Sequence, residues 1–380
     1  MVNKNFESKR ITLVTWLGGG NFGTSLQSFA LHRKLQDLGY SVTFLSGCPK
    51  KFTIKNKIKY VLGLIGVDLS SIKRKIKVEK LTSKQKKLQR FIQNNYNLAE
   101  AINSKRQLDR IVDNTDVFVT GSDQIWNTVY CLNPFYFLDF AKDKKRIAYA
   151  SSMGISDFPN EHKQAVKSLL SKFQHIGVRE QTAANAISSL LERNDIRQVL
   201  DPTFLLDKKV WFAISEKADI EIDIHDKYIF CYLIGNNSWY KEQLQDVVAS
   251  TGIKKVIVVP AVENKDFSVE GAIIYDAAGP LEFIKLIKEA AFVCTDSFHA
   301  TALSLNMEVP FVEFMRFSDD SKGSQNSRLY DILERYNLTY RIYNKTDKRW
   351  ADDIVYSAVS NQIKNDRKAS LDFLVESIER

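Results

Sequence analysis

Between Ala290 and Leu305 the pattern of the chain changes within five residues. Ala290-Ala291-Phe292-Val293-Cys294 is an unbroken apolar run of strand length, Thr295-Asp296-Ser297-Phe298-His299 interrupts it, and Ala300-Thr301-Ala302-Leu303-Ser304-Leu305 resumes with helical spacing. A short buried strand that runs through a polar cluster into a helix puts that cluster at the carboxyl end of the strand. Open α/β sheets bind their ligands there. The helix start adds unpaired N–H groups and a positive dipole end, which favour an anion. His299 lies in that first turn, where a side chain that titrates near neutral pH can move a proton.

The same alternation extends along the chain. Ile11 to Trp16 is a β-branched run, followed by Leu17-Gly18-Gly19-Gly20-Asn21-Phe22-Gly23 and a helical pattern from Thr24 to Leu38; Ser41 to Leu45 then completes a βαβ unit. Asp116 to Thr120, Ile147 to Ser151 and His175 to Val178 are further expected strands, each ending in small or polar residues. Asp201-Pro202-Thr203 marks a hinge, because proline disfavours helix at the residue before it. A second series follows, with strands expected at Tyr228 to Ile234, Val256 to Val259, Ala272 to Tyr275, Ala291 to Cys294 and Val309 to Glu313. The predicted fold is α/β, with two doubly wound, Rossmann-like domains facing one another across a cleft. The expected division is 1–203, carrying a basic helical insertion at about 50–110, then 204–350, then helices over 351–380 that pack back on the first domain.

A chain of 380 residues, 44% hydrophobic and 26% charged, suits two ordinary globular domains. Its first residues, MVNKNFESKR, contain no apolar core of a signal peptide, and the neutral stretch from Tyr60 to Val67 is too short to span a bilayer. A cytoplasmic location is expected. Cys48, Cys131, Cys231 and Cys294 are scattered, so no zinc motif or disulfide framework is indicated. The net charge of +9 is concentrated: residues 51–90 hold 11 Lys and 2 Arg against Asp68 and Glu79. Apolar residues lie between those lysines, so the segment suits either a solvated helical insertion or basic amphipathic helices on an anionic membrane surface. No nucleic-acid-binding module accompanies the charge.

Several constellations carry chemistry. Gly18, Gly20 and Gly23 have dinucleotide-fingerprint spacing, but the second strand ends Val42-Thr43-Phe44-Leu45-Ser46 without the acidic residue a ribose would need. The loop, with Gly19 and Asn21, instead offers backbone amides to a substrate or phosphate. Gly121-Ser122-Asp123-Gln124-Ile125-Trp126-Asn127 gathers hydrogen-bonding groups and an aromatic at a strand end, a composition suited to sugar hydroxyls and also to a structural turn. Arg179 could present a guanidinium to a carboxylate or phosphate, or simply pair with Glu180. Of the five histidines, His32, His162 and His225 are expected at the surface, His175 is ambiguous, and His299 has the setting of a catalytic group. There is no D-x-D triplet and no His/carboxylate set with metal-ligand spacing.

TWLGGGNFGTSLQSFAL, VFVTGSDQIWN, RIAYASSMG, GVRE, VLDPTFLL, GPLEFIKLIKEAAFVCTDSFHATALSL and SRLYDILERYNL, running in that order from about residue 11 to residue 340, resemble the polysaccharide pyruvyl transferase family. The resemblance implies a GT-B-like pair of Rossmann-like domains, phosphoenolpyruvate as donor, and a glycan acceptor that gains a pyruvate ketal, with no cofactor or metal. It implies His299 as general acid/base, Arg179, Thr295 and Ser297 on the donor side, and Asp123 orienting or deprotonating the acceptor hydroxyl. Some members carry an arginine two positions before the histidine; here that residue is Ser297, and Arg328 is the candidate replacement. A polyprenyl-diphosphate-linked acceptor would give the basic segment a reason to sit at the inner face of the cell membrane. The alternatives are a glycosyltransferase of the same architecture using a nucleotide sugar and a non-catalytic glycan-binding protein.

Overall fold

A computed structural model describes residues 8–18, 21–46, 81–129, 131–262, 264–318 and 325–380. Gly19, Gly20 and residues 51–80 of the basic segment lie outside the described residues.

Two all-parallel sheets carry the chain. The first is built from β1 (Arg10–Val14), β2 (Ser41–Phe44), β3 (Val117–Thr120), β4 (Lys145–Ser151), β5 (His175–Val178) and β6 (Arg197–Gln198), ordered β2-β1-β3-β4-β5-β6. The second is built from β7 (Tyr228–Tyr232), β8 (Lys255–Val258), β9 (Ile273–Ile274), β10 (Phe292–Thr295) and β11 (Phe311–Glu313), ordered β11-β10-β7-β8-β9. The strands β3, β7 and β10 are buried at every position. Their continuous apolar runs follow from helices covering both faces of a parallel sheet. Strand order reverses between β1 and β3 in the first sheet and between β7 and β10 in the second, and a crevice opens outside the carboxyl ends of strands at such points.

The helices are α1 (Phe22–Asp37), α2 (Ser83–Asn95), α3 (Lys105–Asp113), α4 (Asn160–Leu170), α5 (Gln181–Leu191), α6 (Lys208–Ser215), α7 (Tyr240–Thr251), α8 (Pro280–Glu289), α9 (Phe298–Met307), α10 (Ser327–Arg335) and α11 (Tyr356–Glu379). Two of them, α1 and α9, are buried almost all round, because each lies between its own sheet and the other half of the molecule. Phe22 on α1 stacks on Phe283 of α8 with ring centres 4.8 Å apart and leans on Tyr232. This burial corrects one expectation. His32 is not at the surface; it lies on α1 with no exposure, against Tyr96.

Asp201 caps a short 3-10 turn over Pro202–Phe204 by accepting a hydrogen bond from the Thr203 N–H. The long helix α11 returns to the first sheet: the Leu200 N–H donates to Ser370 Oγ, and Lys9 and Lys145 donate to the Ile378 carbonyl. α2 lies within the stretch expected as a basic insertion. Two of its three lysines bond across the molecule, Lys84 donating to the Pro260 carbonyl and Lys87 to Glu221 and Tyr275, so this end of the segment ties the first half of the chain to the second.

Candidate active site

The two reversal points meet. Trp16 after β1, Asn21 and Thr24 at the start of α1, and Asp123 and Gln124 after β3 form one wall of a cleft of about 120 Å³. The facing wall is Ile234 after β7, Ser297, Phe298 and His299 at the start of α9, Arg316 after β11, and Arg328 on α10. First turns of two helices therefore open onto one small space, and both dipoles favour negative charge there.

His299 sits at the junction of the walls. It is 4% exposed, and its Nε2 lies 3.6 Å from Asp201 Oδ2 without a hydrogen bond. Its side chain lies against Gly23 of α1: a Cβ built on Gly23 would be 2.3 Å from Nδ1, 2.5 Å from Cγ and 2.6 Å from Cβ. The glycine is what allows the two helix starts to approach.

Asp201 is fully buried beneath the imidazole. Its Oδ2 accepts from Ser122 Oγ at 3.1 Å and Arg179 Nη1 at 3.2 Å, and its Oδ1 accepts from the Thr203 N–H and hydroxyl. Burial opposes its ionisation, but His299, Arg179 and the Thr203 N–H outweigh this and hold the carboxyl well below the usual carboxylate range. The buried carboxylate therefore lies directly beneath the imidazole.

Among the described residues, positive charge is in excess on the second wall. Arg316 spends Nε on Asp296 Oδ2 at 3.1 Å and Nη2 on the Asp296 carbonyl at 3.0 Å, while Arg328 donates to Gln325. Burial, and then the neighbouring Arg316 and Arg179, push the Arg328 guanidinium down to about 9. Guanidiniums that depress one another in this way gain from an anion between them.

Asp123 faces this wall from the first domain. It adopts a left-handed backbone with φ of 71°, its Oδ2 accepts from the Thr24 hydroxyl at 2.8 Å, and its Oδ1 accepts from the Gln124 N–H. Gly121, with φ of 119°, makes the loop possible, since a Cβ there would lie 2.1 Å from the Tyr149 carbonyl oxygen.

Among the residues expected at the site, His299, Asp123, Gln124, Asn21, Ser297 and Arg328 line the cleft, and Gly23 shapes it. Ser297 is the N-cap residue of α9, yet its side chain makes no capping bond. Four others are placed differently. Trp126 is fully buried, stacked on Phe137, and donates its indole N–H to the Tyr136 carbonyl, so it packs the core and offers no face to a sugar. Ser122 is turned inward onto Asp201. The Thr295 hydroxyl donates to the Tyr232 carbonyl and accepts from the Ser297 N–H, which leaves neither group for a phosphate. Arg179 is held by Glu180 and Asp201 and covered by the Phe298 ring 4.1 Å away, so it supports the site from behind. Sequence reasoning missed Trp16, Thr24, Asp201 and Arg316 as parts of the site. Only their positions just after strand ends, at a helix start and in the VLDPT hinge could have signalled them. Among the described residues no group of three metal-ligating side chains occurs.

Two doubly wound parallel domains with a cleft at their facing strand ends make this a two-domain Rossmann-like protein of GT-B-like architecture. Similar solved structures include a putative UDP-N-acetylglucosamine 2-epimerase from Listeria monocytogenes, 11% identical, TM-score 0.50, over 98% of this chain and 90% of that one. Another is Arabidopsis thaliana UGT89C1 complexed with UDP-L-rhamnose, 11% identical, TM-score 0.50, over 98% and 100%. No curated protein matches the chain in sequence. The chain belongs to the polysaccharide pyruvyl transferase family, whose family profile matches residues 21–315.

Proposed function

We propose that the protein transfers the pyruvyl unit of phosphoenolpyruvate to a sugar of a polysaccharide precursor, forming a pyruvate ketal and releasing phosphate. The observation that supports this best is the pairing, in one small cleft, of an excess of guanidinium charge with an imidazole seated on a buried carboxylate and a second carboxylate opposite. The donor carries a carboxylate and a phosphate on one carbon. Arg316, Arg328 and the first turn of α9 supply the positive field that such a pair needs.

Protonated His299 gives its proton to the donor methylene, which becomes a methyl group, as a sugar hydroxyl attacks the neighbouring carbon and passes its proton to Asp123. The C–O bond to phosphate then breaks with its electron pair leaving on phosphate. A second sugar hydroxyl closes the ketal, and its proton leaves with the phosphate. Asp201 supports the imidazole from beneath, 3.6 Å from Nε2. His299→Ala is expected to lower the rate of phosphate release from phosphoenolpyruvate with acceptor by about 10²- to 10⁴-fold; a loss within about threefold would refute the proton-transfer role.

The UDP-L-rhamnose in the Arabidopsis structure favours a second reading, a nucleotide-sugar donor. Thermal shift separates the two: phosphoenolpyruvate stabilises the chain under the first reading, UDP or GDP under the second. A lipid-diphosphate-linked acceptor and contact with an anionic membrane through residues 51–90 complete the proposal. Co-sedimentation with anionic but not neutral vesicles at low salt tests that part.

A further inference from the structure

The chain has five tryptophans, all among the described residues. Trp126, Trp211 and Trp350 have no exposure, and Trp239 is 43% exposed between β7 and α7, outside the cleft lining. Trp16 alone of the five lines the cleft. It leaves the end of β1 half-buried, braced edge-on by Tyr136 with ring centres 6.3 Å apart and planes at 83°.

Its placement divides the cleft chemically. The second wall carries Arg316, Arg328 and a Phe298 ring covered by the Arg179 guanidinium, while the first wall carries the Trp16 ring and the Asp123 carboxylate. The face of an aromatic ring carries partial negative charge, so it repels an anion and attracts slightly positive C–H groups. Asp123 repels an anion as well. A neutral ring with one hydroxyl-poor face suits this wall: its C–H face covers the indole, and hydroxyls at its edge meet Asp123 and Gln124. Both of these follow β3 and are fixed by Thr24 and by Asn127 and Gln325.

We propose that Trp16 is the platform of the acceptor subsite, taking the apolar face of a pyranose and turning two of its hydroxyls toward Asp123. This rests on the pyruvyl-transfer reading and assigns the half of the cleft that the anionic donor does not use. Trp16 is here a binding residue and takes no proton.

Saturation-transfer NMR on the full chain with methyl β-D-glucopyranoside and methyl β-D-galactopyranoside tests the assignment, alongside a phosphoenolpyruvate thermal shift on the same samples. Trp16→Ala is expected to weaken pyranoside binding about tenfold, as loss of a covered apolar face requires, and Trp16→Phe by much less, with the phosphoenolpyruvate shift kept in both. In the wild-type chain the Trp16 indole resonance, assigned by its loss in Trp16→Phe, is expected to move on adding pyranoside while that of Trp126 stays; this holds whether or not Trp16→Ala folds. A Trp16 resonance unmoved by either pyranoside, or equal affinity in folded Trp16→Ala, overturns the proposal. A wild-type chain that phosphoenolpyruvate fails to stabilise, while the pyranoside result holds, overturns the donor reading and leaves the sugar platform standing.

Discussion

Gly23→Ala tests the geometry of the site with one methyl group. The added Cβ would stand 2.3 Å from His299 Nδ1, where ordinary contact begins at 3.4 Å, so the imidazole must retreat by about 1 Å. Neither neighbour can give way easily, since the backbone of α1 is buried around Gly23 and Asp201 lies under the ring. A displacement of about 1 Å in a reacting group costs on the order of 10²-fold, or ~2.7 kcal/mol of transition-state stabilisation. Alanine suits a helix better than glycine by ~0.5–1 kcal/mol, which offsets part of the crowding in the folded state. The expected result is a folded protein with kcat/KM for phosphate release reduced about 100-fold. The effect should shrink when His299 is already alanine, because the ring atoms are then gone and only the Cβ, 2.6 Å from the added methyl group, remains to be displaced. Activity within threefold of wild type, or an equal loss in the His299→Ala background, would refute the claim that Gly23 acts by seating the imidazole.

Asp201→Asn leaves Arg179 with one carboxylate in place of two in a fully buried cluster, and breaking such a pair costs ~3–5 kcal/mol; urea unfolding measures it. Since the folded carboxyl is held below its unfolded value, the stability it confers is present at neutral pH and is lost as pH falls below about 4, and the variant should lack that loss. His32 gives a second pH signature: burial pushes its imidazole from 6.5 down to about 4. The unfolded chain then binds the proton first, so stability is full above pH 6.5 and falls by about 3 kcal/mol on going to pH 4. His32→Leu should flatten that part of the stability curve in chemical denaturation. Trp126→Ala should cost ~3–5 kcal/mol of stability, as expected of a fully buried aromatic, in the same assay.

Much of the fold was legible because it is local. Apolar runs such as Val117–Thr120 and Phe292–Thr295, alternating with helical patterns, admit little besides parallel sheets covered on both sides. The last strand of the first sheet, Arg197–Gln198, was not, since two polar residues carry no strand pattern. His299 was legible for the same local reason: strand, polar turn and helix start lie within a few residues, and its place follows from that order. The cation opposite it was not. Arg179 and Arg316 both follow strands in the sequence, but Glu180 and Asp201 draw the first behind Phe298, while Asp296 holds the second at the cleft wall.

The amino-acid sequence by itself determined two doubly wound domains, an anion-favouring helix start bearing His299, and membership of a family. The tertiary structure alone decided which side chains face the cleft. Trp16 lines it and Trp126 packs the core; Ser122 reaches Asp201, 79 residues away, instead of a substrate; and Gly23 matters because a histidine from the other domain lies on it. Periodicity orients a side chain within a helix or strand, whereas a residue in a connecting loop is turned by partners distant in the chain, and those partners exist only once the domains have met.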